Sequence, residues 1–227
     1  LHLDFSQLLC GQTRRQALWQ MGGGFAGLAL TSLLEQIRDG ALGLRMVQVG
    51  ESFSRLKRIV RDVSKELGKD IELTIAGADT ELDKSMVEKL SDPLMHIVRN
   101  ALDHGIENKE LRLYKGKPVQ GQLKLSACHE AGSVVIEIAD DGAGLNVDRI
   151  RQKAIEKGII QSDRELSKED IFKLIFAPGF STAAAVTNLS GRGVGMDVVK
   201  RNIEELRGEI QIDSIPDKGT SFKIRLP

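Results

Sequence analysis

Residues 96–107 read His-Ile-Val-Arg-Asn-Ala-Leu-Asp-His-Gly-Ile-Glu. At about 100° per residue, an α-helix gathers the polar residues of this stretch on one stripe, opposite an apolar face. The polar residues are His96, Arg99, Asn100, Asp103 and His104. Most polar stripes face water, but this one offers an amide oxygen for a hard cation such as Mg²⁺ and imidazoles that transfer protons near neutral pH. The stretch predicts a helix with a functional face, and an ordinary solvated face is the alternative.

The next motif, Ala-Asp-Asp-Gly-Ala-Gly-Leu, spans residues 139–145 and follows an apolar run that predicts a strand. A carboxylate at a strand end can accept a hydrogen bond from an exocyclic amine, and the glycines permit a sharp turn or a close approach to a ligand. An ordinary loop has the same composition. The motif therefore predicts a ligand site only in combination with the others.

Glycines also precede the last predicted helix. Pro-Gly-Phe-Ser-Thr occupies residues 178–182, and Gly-Arg-Gly-Val-Gly-Met-Asp occupies residues 191–197. Glycines that lead into a helix N-terminus present backbone N–H groups to an anion; a flexible linker is the alternative. A P-loop is excluded because the sequence has no G-x-x-x-x-G-K-[ST] pattern, and a Rossmann fingerprint is excluded because Met196 stands where its third glycine belongs.

Hydrophobic periodicity predicts an α/β fold. Apolar spacings of three and four indicate helices, and strict alternation indicates strands. The predicted helices are 51–67, 83–90, 93–104 with Asp92-Pro93 at its start, 147–157, 168–176 and 194–207; the predicted strands are 71–75, 123–127, 134–139, 210–212 and 222–226. Two of these strands form a hairpin near Ala131-Gly132. Because strands and helices do not alternate regularly, a two-layer α/β sandwich with a mixed sheet is favoured over a doubly wound parallel sheet.

Composition excludes several classes of protein. Lys plus Arg and Asp plus Glu each total 32, so no broad positive field attracts nucleic acid. Cys10 and Cys128 lack metal-ligand spacing, which excludes a disulfide scaffold and a structural zinc site. Residues 1–34 place Arg14-Arg15 before an uncharged Gly/Ala-rich segment and resemble a twin-arginine leader, with a helical or disordered tail as the alternative. Their glycines disfavour a membrane span.

In this order, the motifs resemble the ATP-binding domain of the GHKL superfamily, and from about residue 35 to Pro227 they are similar to the CheA family of chemotaxis histidine kinases. The resemblance implies a remnant of the dimerisation helix and linker at 35–49 and an ATP-binding catalytic domain at 50–227. Residues 1–34 lie outside it and are expected to be a leader-like or a disordered or helical segment. It also implies a cytoplasmic kinase that uses ATP and Mg²⁺ to phosphorylate a histidine on a separate phosphotransfer domain. A receptor-coupling protein and a response regulator are the further expected partners, and a homodimer remains open.

The resemblance also assigns roles by position. Asn100 is the expected Mg²⁺ ligand, Asp140 is the expected acceptor for the adenine amino group, and His96 and His104 are expected beside the triphosphate, with Asn100, as catalytic residues. A lid from about Ala177 to Gly195 is expected to close over ATP. The other expected nucleotide contacts are Asp103, Gly142, Gly144, Arg149, Ser181, Thr182, Gly191, Arg192, Gly193, Gly195, Met196 and Thr220.

Departures from the family pattern keep an alternative open. The sequence shows no phosphotransfer or receptor-coupling domain, and Ala183-Ala184-Ala185 stand in the lid where relatives have charged residues. A catalytically silent ATP-binding or scaffold module is therefore the second hypothesis. A gyrase- or Hsp90-like ATPase is disfavoured because His96 occupies the position of their carboxylate base.

Overall fold

The computed structural model describes residues 45–161, 166–180 and 195–227. The chain divides into two compact units, residues 1–46 and 47–227. The predicted leader-like segment, residues 35–44 of the predicted dimerisation remnant, and residues 181–194 of the predicted lid lie outside the described residues. The polar stripe and the glycine-rich motifs all belong to the second unit.

The described residues form helices and strands in a mixed order. The strands are β1 (Met46–Gln48), β2 (Ile71–Ala76), β3 (Glu81–Asp83), β4 (Gly121–Glu130), β5 (Ser133–Asp140), β6 (Glu209–Ile215) and β7 (Gly219–Leu226). The helices are α1 (Gly50–Glu66), α2 (Lys84–Asn100), α3 (Lys109–Tyr114), α4 (Val147–Glu156), α5 (Lys168–Lys173) and α6 (Met196–Glu205). A π-helical turn, Ala101–Gly105, extends α2, and a 3₁₀ turn, Leu174–Phe176, extends α5.

The main sheet has five strands in the order β2-β4-β5-β7-β6. Strand β2 runs parallel to β4, and the remaining neighbours are antiparallel. The β4–β5 hairpin turns at Ala131 and Gly132, both with positive φ, as the sequence predicted. Strands β1 and β3 form a separate two-stranded sheet. The mixed sheet confirms the predicted two-layer sandwich and its strand signals.

One face of the sheet is covered by α1, α2 and α6. Alternate residues of β4 are buried on this face, among them Leu123 and Leu125, whereas Gln122 and Lys124 on the other face are exposed. The same apolar cluster takes in Phe53 of α1, Ile97 of α2 and Val199 of α6. A smaller apolar cluster joins α4 and α5. Burial of these side chains, at about 1.5–3 kcal/mol each, holds the helices on the sheet.

The structure corrects the prediction of two helices at 83–90 and 93–104. Helix α2 is continuous, and Pro93 lies inside it rather than at a helix start. Pro93 lacks the N–H that would donate to the carbonyl four residues back, at a cost of about 3 kcal/mol. The helix nevertheless continues because its buried face outweighs that cost at about 1.5–3 kcal/mol per side chain. This face consists of Val87, Leu90, Leu94, Ile97 and Val98.

Candidate nucleotide-binding site

The polar stripe of α2 ends in a wide turn. The α-helix stops at Asn100 and continues as the π-helical turn Ala101–Gly105, in which Ile106 N donates to Ala101 O at 2.8 Å. Lys69 closes this turn because its Nζ donates to the carbonyl oxygens of Leu102 (2.6 Å), Asp103 (3.2 Å) and Ile106 (2.7 Å). Burial lowers the pKa of Lys69, although the charges of Asp103 and Glu107 oppose the shift. One ammonium group thus fixes the helix end.

His96 lies half-buried on α2, facing the start of α6. Burial lowers the pKa of His96, the nearby Arg99 guanidinium lowers it further, and Asp197 in the first turn of α6 opposes both. The imidazole is therefore neutral at pH 7 and free of a proton on one nitrogen. By contrast, His104 is exposed on the π-helical turn.

Asn100 contacts the residue that opens α6. Its Nδ2 donates to Met196 Sδ at 3.1 Å, and Gly195 is the N-cap of the helix. The two motifs that the sequence separates by nearly a hundred residues therefore meet here. The amide nitrogen donates to the sulfur, so the amide oxygen is the atom of this side chain that is placed to bind a cation. Unsatisfied N–H groups at the α6 N-terminus favour anions beside it.

Asp140 stands at the end of β5, opposite Thr220 of β7. Its Oδ1 accepts from Gly142 N at 2.9 Å. Burial raises the pKa of Asp140 to about 6, with backbone hydrogen bonds from Gly142 and Thr220 opposing the rise and the charges of Asp141 and Glu107 adding to it. The carboxyl group is thus enclosed by protein yet ionised at neutral pH.

Glycines bring the π-helical turn against the Asp140 turn. Ala143 N donates to Gly105 O at 2.9 Å. A Cβ on Gly105 would lie 3.3 Å from the Asp140 carboxylate, and a Cβ on Gly142 would lie 2.1 Å from Gly105 O. Gly144 has φ +71° and packs on the Ile215 carbonyl. These close contacts explain why the motif needs glycine at 142 and 144.

Sequence reasoning missed a buried ion network behind Asp140. The Arg112 side chain is 1% exposed and donates to Glu107, to both carboxylate oxygens of Asp141, and to two backbone carbonyls. Lys117 and Lys115 also bind Glu107. Burial alone would raise the pKa of Glu107, but hydrogen bonds from Lys117 and Lys115 hold it below its ordinary value. The sequence Leu-Arg-Leu-Tyr at residues 111–114 does not indicate that Arg112 is buried.

Ser214 is a second residue that the sequence analysis did not single out. It is 2% exposed, its Oγ accepts from Leu145 N at 2.8 Å and donates to Gly219 O at 3.0 Å, and it lies 3.1 Å from Thr220 Oγ1. The hydroxyl joins the glycine-rich turn to β7 beside Asp140. The alternation of its strand places Ser214 on the same inward face as Ile210 and Ile212, which is the signal that could have identified it.

The structure brings together part of the predicted site. One group of predicted residues, Asn100, Gly195 and Met196, lies at the start of α6. A second group, Asp140, Gly142 and Thr220, lies at the end of β5, and Gly105 packs against it. Arg149 is exposed in the first turn of α4, where its backbone N–H donates to Asn146 Oδ1 at 2.9 Å. The predicted contacts outside the described residues are Ser181, Thr182, Gly191, Arg192 and Gly193.

The described residues include no group of three or more His, Cys, Asp or Glu side chains placed to hold a metal ion. One protein oxygen, such as that of Asn100, together with ligand phosphates suits Mg²⁺, which keeps several waters and binds few protein groups. Within the same residues, no helix is long and apolar enough to cross a membrane.

Residues 89–227 match the family described as histidine kinase-, DNA gyrase B-, and HSP90-like ATPase. The chain is 51% identical over 192 residues to chemotaxis protein CheA of Treponema pallidum, covering 85% of this chain and 24% of that protein. It is 47% identical over 200 residues to CheA of Bacillus subtilis, covering 87% and 30%. The sensor histidine kinase CheAY of Helicobacter pylori is 51% identical over 201 residues, with 88% and 25% covered. The chain thus spans less than a third of these relatives.

Among solved structures, the nucleotide-free catalytic domain of histidine kinase ThkA matches with a TM-score of 0.52 at 15% identity, covering 80% of this chain and 93% of that one. At this identity the likeness concerns the fold, which is the same mixed sheet with helices. The match over residues 89–227, which is more than half of the chain, shows that the chain belongs to the family of histidine kinase-, DNA gyrase B- and HSP90-like ATPases.

Proposed function

We propose that this chain is the ATP-binding catalytic domain of a CheA-type histidine kinase and transfers the γ-phosphate of ATP to a histidine on a separate phosphotransfer domain. The observation that supports it most is the contact between Gly105 and the Asp140 carboxylate, where a Cβ would come within 3.3 Å. This contact joins the turn after Asn100 to the end of β5. This proximity supports a single site in which Asp140 accepts from a base and Asn100 binds the cation of the phosphates.

At the adenine end, Asp140 accepts the hydrogen bond of the exocyclic amino group. Its carboxylate is preorganised by Gly142 N and by the backbone of Thr220. Because the acceptor is an ionised carboxylate, a hydrogen bond to it is worth about 1.5–3 kcal/mol. Gly142 and Gly144 shape the turn so that the base approaches the backbone closely.

At the phosphate end, the Asn100 oxygen would hold Mg²⁺ and the α6 N-terminus would face the anion. The Mg²⁺ ion supplies neutralisation of the phosphate charge that develops during transfer. His96, neutral at pH 7, accepts a hydrogen bond or a proton near the transferred group. His104, Asp103, Arg149, Gly195 and Met196 are the further nucleotide contacts that belong to this proposal.

The likeness to CheA supports the wider setting of this proposal. A phosphotransfer domain is the substrate, a receptor-coupling protein and a response regulator are the partners, and the cytoplasm, where ATP is available, is the location. The phosphorylated residue lies outside this domain, so a test must supply it separately.

Transfer of labelled phosphate from ATP to an isolated phosphotransfer domain of a CheA relative tests the proposal. We expect acid-labile phosphohistidine with the wild type and a loss of at least about tenfold in rate with Asn100→Ala. Asn202→Ala on α6 is the matched control and should keep the wild-type rate. Saturable ATP binding without phosphohistidine would contradict the kinase activity and leave the catalytically silent module.

A further inference from the structure

Behind Asp140 lies a network of charged side chains that the proposed function does not use. Arg112, 1% exposed, binds the Asp141 carboxylate with two nitrogens, at 3.1 and 2.7 Å. Its other donors reach the carbonyls of Pro118 (2.7 Å) and Gln120 (3.1 Å). Such a fork-shaped pair fixes geometry as well as charge. Asp141 directly follows Asp140 in the chain, and we assign the Asp140 carboxylate to adenine recognition.

Lys117 holds the same turn through its backbone. Its Nζ donates to Asp141 O at 2.9 Å and to Gly142 O at 2.7 Å, and Glu107 anchors it at 3.0 Å. The side chain is 14% exposed, so these bonds are largely shielded from water. Two consecutive carbonyls of the turn are thereby fixed by one ammonium group. The N–H of Gly142 in turn donates to Asp140 Oδ1.

We propose that Arg112 and Lys117 are specificity-determining positioning residues: they hold the Asp140–Gly142 turn so that the Asp140 carboxylate meets a 6-amino purine and discriminates against a 6-oxo purine. The inference rests on the proposed function because it requires the base to bind at Asp140. Arg112 binds Asp141, and Lys117 binds the carbonyls of Asp141 and Gly142, so both residues hold the turn rather than the Asp140 carboxylate itself. Each affects base binding by fixing the position of the turn. The preference for adenine therefore depends on charged side chains that do not bind the base.

Lys115 supplies a control within the same network. It binds Glu107 at 3.3 Å and also binds Asp217, and its side chain is 26% exposed. It makes none of the contacts to the turn carbonyls that Lys117 makes. A variant of Lys115 therefore perturbs the network charge without releasing the turn.

Calorimetric titration with ATP and with ITP, which carries oxygen in place of the 6-amino group, tests the inference. For Lys117→Met we expect the ATP dissociation constant to rise by about tenfold or more while the ITP constant changes by less than about threefold. The ATP-over-ITP preference should persist in Lys115→Met. Equal weakening of both nucleotides, an unchanged preference in Lys117→Met, or an equal loss in Lys115→Met would each overturn the inference.

Asp141→Asn provides a second variant that keeps the shape of the side chain. It weakens the pair with Arg112 but leaves the Lys117 contacts to the carbonyls, so the ATP-over-ITP preference should fall by less than in Lys117→Met. If Lys117→Met does not fold, an unchanged preference in Asp141→Asn overturns the inference. A wild-type protein that binds neither nucleotide would refute the proposed function itself, whereas ATP binding with an unaltered preference in both variants would refute only this inference.

Discussion

The two ends of the site differ in how the protein holds them. At the adenine end, Asp140 is fixed by backbone donors, by close glycine contacts and by the charged network of Arg112 and Lys117. At the phosphate end, Asn100 has a hydrogen bond to the thioether of Met196, a weak acceptor. In the proposed site, base recognition would therefore be preorganised by the scaffold, whereas phosphate chemistry would depend on the ion and groups that arrive with the nucleotide.

Removing the guanidinium of Arg112 should cause the largest loss of unfolding free energy among the variants at the adenine end. Arg112→Met removes both hydrogen bonds to Asp141 and the donors to the Pro118 and Gln120 carbonyls, while Glu107 keeps Lys115 and Lys117. We expect a loss of about 3 kcal/mol of unfolding free energy, the upper end for hydrogen bonds to charged groups. Urea denaturation measures the loss. Arg225→Met removes an exposed pair with Glu130 and should cost less than about 1 kcal/mol. Equal losses in the two variants would mean that burial does not distinguish these ion pairs.

Adding a methyl group at Gly142, in the turn at the adenine end, should also destabilise the fold. Gly142→Ala would place its Cβ 2.1 Å from the backbone oxygen of Gly105, so the two turns must separate. We expect a loss of about 1–3 kcal/mol, measured by thermal unfolding. Gly116→Ala, which has open space around it but φ +70°, reports the cost of backbone strain alone. A Gly142→Ala variant as stable as Gly116→Ala would contradict the close packing.

The pKa of Asp140 predicts how ATP affinity depends on pH. Because the ionised carboxylate accepts the amino group and the pKa is about 6, protonation at pH 5 should weaken ATP by about tenfold relative to pH 8. The stability of the free protein changes in the opposite sense. The folded state binds this proton more tightly than the unfolded state, so the contribution of Asp140 to stability falls as pH rises from about 4 to 6. A flat pH profile for ATP binding, measured by calorimetry, would refute the assignment.

Removing the hydrogen bond between Asn100 and Met196 at the phosphate end should have the smallest effect on the unfolding free energy. Met196→Leu removes the sulfur acceptor of Asn100 but keeps a similar volume, so the unfolding free energy should change by less than about 1.5 kcal/mol. Chemical denaturation measures this change. A loss as large as that of Arg112→Met would show that the two ends are equally fixed and would remove the contrast between them.

The elements with regular hydrophobic spacing could be predicted from the sequence. Helix α1 and the β4–β5 hairpin were predicted because apolar residues recur at the period of each structure. Gly68, with φ +62°, directly follows the C-cap of this helix. The break predicted at Pro93 was wrong because burial of the neighbouring apolar face outweighs the local preference of proline. Local propensity could not foresee that packing.

The ion network could not be predicted, because α3 inverts the usual pattern. Leu111, Leu113 and Tyr114 are 43%, 55% and 88% exposed, whereas Arg112 between them is buried. Hydrophobic patterning would place the leucines inside and the arginine outside. The inversion holds because the guanidinium binds carbonyls of the loop that follows α3 and the Asp141 carboxylate, which is 29 residues away in the chain. The Asp141 carboxylate reaches Arg112 only in the folded chain.

The most direct test of ATP recognition at Asp140 is calorimetric titration of ATP with Mg²⁺ into wild type, Asp140→Asn and the exposed control Asp213→Asn at pH 7.5. We expect saturable binding by the wild type and the control, and at least about tenfold weaker binding by Asp140→Asn. Equal affinity in all three proteins, or no binding by the wild type, would contradict it.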